Sequence, residues 1–219
     1  YLVCVATGGY LYACLSNPEM NEKKVFLVLS LMMSGSVLLT APFYDKLAHF
    51  FQFAHEVSGE NWWLLTLLSF VIVLFVIGLP TILSGALLPA AVAIIDPGKK
   101  HTGQGVGMVV LHNTTGAVLG SLVAGFIMVP AFGLLNSFKY LAVVNLIMVF
   151  ILALHFRQRG VSLRMVPSVA IAGTLLVFVP MSWDAKLINS GVYCYASKYT
   201  KMGGMERVLS EERILEVIE

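Results

Sequence analysis

The residues best placed for chemistry stand together inside an apolar run. They are His112, Asn113, Thr114 and Thr115, within GQGVGMVVLHNTTGAVLGSLVAGFIMVPAFG, residues 103–133. A polar group left unsatisfied in hydrocarbon costs several kcal/mol, so each needs a partner. Asn113 carries donors and acceptors that cannot all be met within its own helix. The hydroxyls of Thr114 and Thr115 can bond back to a carbonyl one turn earlier. Helical spacing places Asn113, Gly116, Gly120 and Ala124 on one face, with Ser121 and Gly125 on the adjoining lane. Two mechanisms account for such a face. In helix–helix packing, glycines permit close approach and the asparagine hydrogen-bonds across. In a substrate or ion path, the polar groups line the route, as intramembrane polar groups often do. Packing is the favoured reading. His112 lies on a different lane, and no acid or base inside a span pairs with it, so proton-coupled transport has little support.

The remaining reactive side chains are scattered. His49 and His55 are six residues apart and share a helical face poorly, so they read as interfacial histidines rather than metal or haem ligands. Cys4, Cys14 and Cys194 include no C-x-x-C pair and read as inert thiols. No catalytic residue, metal site or cofactor is expected in this chain. There is no basic stripe with interleaved aromatics, so nucleic acid is not expected as a partner.

The elements that must position these residues are membrane helices. The 219 residues are 58% hydrophobic and only 12% charged, with a mean hydropathy of +0.85. A soluble domain carries about 25% charged residues, so this chain has too little polar surface to cover a globule in water. The reading is an all-α integral membrane protein, a bundle of about six transmembrane helices with a short extramembrane C-terminal segment. Spans are expected near 1–16, 25–43, 62–90, 106–130, 138–155 and 166–182, making a transmembrane domain over 1–182.

Residues 1–16 are short for a bilayer and read as the second half of a span. Residues 44–61 mix Phe50, Phe51, Phe53 and Val57 with Asp45, Lys46, His49 and Glu56, a pattern that suits an interfacial amphipathic helix. Trp62-Trp63 open the next span at interface level. Pro80 and Pro89 predict a kinked or tilted helix ending near Ala90, with Gly78 and Gly85 on one face for close contact. The first residue is not methionine and the last residues carry no terminator, which suggests a piece of a longer polypeptide.

Charge sets the orientation. The turns at 17–24, 96–105 and 156–165 hold Lys or Arg pairs or a triplet, whereas 44–61 holds Lys46 against Asp45, Glu56 and Glu60. Cytoplasmic loops carry the basic excess, so 44–61 lies outside. If 166–182 spans, the segment after Trp183 lies outside too.

The succession LPTILSGALLP (79–89), then GQGVG…HNTTGAVLGSLVAGFIMVPAFG (103–133), resembles the membrane region of bacterial spermidine-synthase-like proteins. In that family a major-facilitator-like membrane part is fused to a polyamine aminopropyltransferase domain. The positions that carry the resemblance are Leu79, Pro80, Thr81, Gly85, Ala86, Leu88 and Pro89, then Asn113, Thr114, Gly116, Ala117, Gly120, Gly125, Phe126, Pro130 and Gly133. WDAKLINSGVYCYA (183–196) looks like the lead-in to the small strand domain that precedes the transferase domain. Two departures stand out: Leu111 where the family often has tyrosine, and NPEMNEKK (17–24) where it has a more arginine-rich turn.

The resemblance implies a bacterial inner-membrane, multi-pass protein with the start of an aminopropyltransferase-like strand domain over 183–219. Helical spacing in 205–219 competes with the strand that the resemblance implies from 213 onward. Decarboxylated S-adenosylmethionine would be a cofactor only if a catalytic domain followed Glu219, because no glycine-rich nucleotide loop occurs in this chain. The expected role is an anchor or scaffold in the lipid bilayer for an attached C-terminal domain or partner membrane subunits. The alternatives are a transporter-like module for a polyamine or other small molecule, and a membrane-bound aminopropyltransferase whose catalytic domain lies beyond Glu219. The candidate binding or packing residues are His112, Asn113, Thr114, Gly116 and Gly120.

Overall fold

Backbone amides in hydrocarbon must be satisfied within their own segment, and a helix does this one turn at a time. In the computed structural model every element among the described residues is helical. The structure describes residues 1–158 apart from 18, 45, 60 and 97–101, and beyond them 183, 185–188, 191, 195, 198–199, 202 and 207–208. The expected span at 166–182 and the strand at 213–219 lie outside the described residues.

The chain order is α1 (Leu2–Leu15), α2 (Glu22–Thr40), a 3-10 turn (Ala41–Phe43), α3 (Leu47–Ser58), α4 (Trp62–Ile95), α5 (Thr102–Val123), a π-turn (Ala124–Met128), α6 (Val129–Gln158) and the short α7 (Ala185–Ile188). Asparagines start two of the long helices. Asn21 Oδ1 accepts the Lys24 amide at 3.2 Å, and Asn61 Oδ1 accepts the Leu64 amide at 3.1 Å, each meeting an N–H that has no helical partner.

Three helical stretches among the described residues are long and apolar enough to cross a membrane: Glu22–Phe43, Trp62–Ile95 and Gly103–Phe156. Their length and composition are consistent with a helical membrane protein. Helix α1 is apolar but shorter. Helix α4 runs five residues past the expected end at Ala90, with Pro80 and Pro89 inside it. At about 1.5 Å per residue it is longer than a hydrocarbon core of about 30 Å, so it must tilt or project.

Two compact units divide the chain: residues 1–39 with 78–180, and residues 40–77 with 181–219. In the first, Leu27 of α2 packs with Val149, Ala153 and Phe156 of α6, while Leu38 packs with Ala142 and Leu146. Rising numbers in α2 meet falling numbers in α6, so the two run antiparallel. Asn145 Nδ2 donates to Ser34 Oγ at 2.6 Å, and Ser34 Oγ donates back to the Ser30 carbonyl at 3.0 Å. The lone asparagine of this span is thereby satisfied across the helix pair. At the basic end, the Lys23 ammonium sits 5.7 Å from the Phe156 ring centre, a cation–π contact.

The same unit brings two helix backbones close together. A Cβ on Gly8 would lie 1.9 Å from the Ile82 carbonyl oxygen, and one on Gly85 would lie 2.2 Å from that of Val5. Pro89 has no amide to offer the Gly85 carbonyl four residues earlier, and that oxygen is the atom a Cβ on Gly9 would meet, at 3.7 Å. The glycines of α1 let its backbone approach the stretch of α4 whose ladder the proline interrupts.

The second unit is built on α3 and the C-terminal segment. Ala48 and Phe51 pack against Leu187, Tyr199 and Val208, with Tyr195 and Met202 at the edge. Trp183 Nε1 donates to the Ala41 carbonyl at 3.1 Å, and its ring meets Tyr44 at 5.6 Å. Burial pushes the Tyr44 phenol above its ordinary value, while a Thr40 hydrogen bond opposes that shift. The other face of α3 shows Phe50, Phe53 and Val57 exposed, the apolar stripe expected of a helix at a membrane interface. The described residues at 185–188 and 195 are helical, where the resemblance implied the approach to a strand domain.

Candidate functional site

The polar knot lies in α5, and the helix presents it openly. Residues 111–120 are all exposed. His112 Nδ1 lies 2.8 Å from the Met108 carbonyl, and Thr115 Oγ1 donates to the Leu111 carbonyl at 2.9 Å. Both bonds stay within the helix, one turn back. Asn113 and Thr114 form no side-chain hydrogen bond among the described residues. A Cβ added at Gly116, Gly120 or Gly125 would meet nothing within 4 Å. The five candidate residues therefore share one helix, and no other helix among the described residues engages them.

Beyond α5 the chain changes direction. Pro130 lacks an amide and crowds the carbonyl of Phe126. The ladder responds with a π-turn over Ala124–Met128, in which the Val129 amide bonds to the Ala124 carbonyl. An extra residue in the turn rotates everything beyond it, so the Asn113–Gly116–Gly120 lane does not continue straight to Pro130. Gly133 then takes φ 75° and ψ 170°, a conformation only glycine adopts readily. Ser137 Oγ bonds to the Gly133 carbonyl at 2.7 Å, and Asn136 Nδ2 to the Phe132 carbonyl at 3.0 Å. The rings of Phe132 and Tyr140 stand 5.1 Å apart, edge to face. Eight residues of straight helix would separate them by about 12 Å, so the axis turns sharply here.

Other titratable groups form no second centre. No group of three or more His, Cys, Asp or Glu side chains placed to hold a metal occurs among the described residues. Cys4 is buried, Cys14 is exposed, and both are free thiols; Cys194 lies outside the described residues.

Sequence reasoning passed over two polar contacts. One is the Ser34–Asn145 bond, whose signal was the lone asparagine of 138–155 facing serines spaced four apart at 30 and 34. The other is the Tyr12 hydroxyl, which donates to the Glu22 carboxylate and joins α1 to α2. A tyrosine near the end of one apolar run and an acid opening the next was the only hint of that pair.

No family model matches the chain, and no curated protein or solved structure is significantly similar to it.

Proposed function

We propose that this chain is the membrane part of a spermidine-synthase-like protein and serves as an anchor or scaffold for an attached domain or partner subunits. The observation that supports this reading is the open face of α5. Asn113, Gly116 and Gly120 stand exposed within a span-length apolar helix, and this chain's described residues supply no partner. An amide in hydrocarbon is costly without one, and glycines one turn apart leave room for a second backbone. A helix from another subunit, or from a further domain, satisfies both requirements at once.

In the same reading the chain crosses a bacterial inner membrane about six times. The long stretch 103–156 makes two of the crossings around Gly133, and 166–182 makes the last. The loop 44–61 and the C-terminal segment lie outside.

The test is assembly in native membranes. Gly120→Leu is expected to abolish the cross-linked or co-purified complex of the full chain, while the monomer keeps its helical content. Unchanged assembly in Gly120→Leu would remove the scaffold reading. A transporter-like module predicts a different result: Asn113→Ala would abolish uptake of a radiolabelled polyamine into proteoliposomes and leave assembly intact.

A further inference from the structure

We propose that a cleft between α1, α2 and α4 holds one acyl chain of a phospholipid, with the lipid's ammonium headgroup at Glu22. The cleft has a volume of about 320 Å³, at the lower end of the range for ligand pockets, and its walls include Leu11, Tyr12, Leu15, Val25, Leu29 and Leu83. The residues from α1 repeat at helical spacing from Gly8 to Leu15, so the cleft follows the helix axis for about 10 Å. One end is closed where Gly8 meets the Ile82 backbone. Toward the other end, the strongly polar group among the described lining residues is the Tyr12 hydroxyl, donating to the Glu22 carboxylate.

This layout suits a lipid tail better than the other occupants of such a space. Water gains little there, because the apolar wall offers it few hydrogen-bond partners. An apolar tail filling the cleft gains burial in proportion to its methylenes. Charge at the mouth selects the headgroup. Tyr12 occupies one oxygen of the Glu22 carboxylate, and the other has no partner among the described residues. That free oxygen is an acceptor for the ammonium of a phosphatidylethanolamine headgroup. A purely anionic headgroup would set its charge against Glu22.

The test uses the full chain in vesicles of phosphatidylethanolamine and phosphatidylglycerol, with a photoactivatable group midway along the acyl chain of a phosphatidylethanolamine probe. Peptide mapping is expected to place adducts on Leu11, Leu15 and Leu29 several-fold above those on Leu119 and Phe126, which α5 and the π-turn expose to bulk lipid. Leu11→Trp fills the cleft from its open side and should abolish the excess. Glu22→Gln keeps an acceptor for Tyr12 but removes the charge. It should erase the preference for this probe over the matching phosphatidylglycerol probe and leave the adduct positions unchanged. Adducts at equal density on the cleft and on α5, or an excess that survives Leu11→Trp, would identify ordinary annular lipid and overturn the proposal. A headgroup preference that persists in Glu22→Gln would overturn the role of Glu22.

Discussion

Glycine shows how little spacing alone says about what a residue touches. Gly116 and Gly120 have the spacing of a packing lane, yet nothing stands within 4 Å of a Cβ at either. The close approach is at Gly8 and Gly85, where a Cβ would run into a carbonyl oxygen. Gly8→Ala and Gly85→Ala are therefore expected to destabilise the chain by about 1–3 kcal/mol, as overpacking does, measured by denaturant unfolding in micelles. Gly116→Ala should be neutral or slightly stabilising in the isolated chain, because alanine favours a helix interior by up to about 1 kcal/mol. Asn145 makes the complementary case. Its bond to Ser34 is worth about 0.6–1.7 kcal/mol by analogy with measured pairs in membrane helices. A double-mutant cycle of Asn145→Ala and Ser34→Ala should return a coupling energy of that size. That the span's lone asparagine needs a partner was legible in the sequence; that the partner is Ser34 was not, because it depends on which two helices run antiparallel.

At the scale of elements, most boundaries follow from local chemistry. Asn21 and Asn61 cap the starts of α2 and α4, and Gly59 and Gly133 take positive φ where helical structure breaks. The end of α4 was harder to place. A proline removes one hydrogen bond, but in a membrane helix the remaining ladder and neighbouring groups carry the helix through. Pro130 acts more locally, by moving the ladder into a π-turn. Two substitutions separate these effects. Gly133→Ala places a side chain at φ 75° and should cost about 1–3 kcal/mol of stability, read from the shift of an unfolding curve. Pro130→Ala restores an amide and should return Ala124–Met128 to α-helical register, visible as altered periodicity of spin-label accessibility along 118–129. The amphipathic character of 44–61 was legible from its alternation of aromatic and charged residues. The sequence did not reveal that α3 has two apolar sides, one covered by Leu187, Tyr199 and Val208 and the other exposed.

At the scale of the molecule, the contacts of the C-terminal segment bear on its sidedness. Trp183 reaches Ala41 and Tyr44, and the cluster around Tyr199 reaches Ala48 and Phe51. The described residues of the C-terminal segment therefore pack in one unit with α3. In a cysteine-free background, Glu56→Cys and Arg207→Cys are expected to react with a membrane-impermeant maleimide from the same side. Labelling of the two from opposite sides would contradict that packing. Trp183→Ala removes both the bond to Ala41 and the ring contact with Tyr44, and should raise amide exchange across 47–58 without altering exchange in α6.

By itself the sequence pointed to helices able to cross a membrane, because a chain with so few charges has little polar surface to present to water. It determined the helical class as well, because hydrocarbon leaves the backbone few other ways to satisfy its amides. It also marked where chain direction changes, since proline and glycine act through their own dihedrals. The tertiary structure alone decided which polar residues are paired and which glycines are in contact. Those outcomes depend on helix partners far apart in the chain, and the same small and polar residues serve equally well on a packed face or an open one. His112, Asn113, Thr114, Gly116 and Gly120 were legible as an unusual set for that reason, while their exposure became visible only with the helices in place.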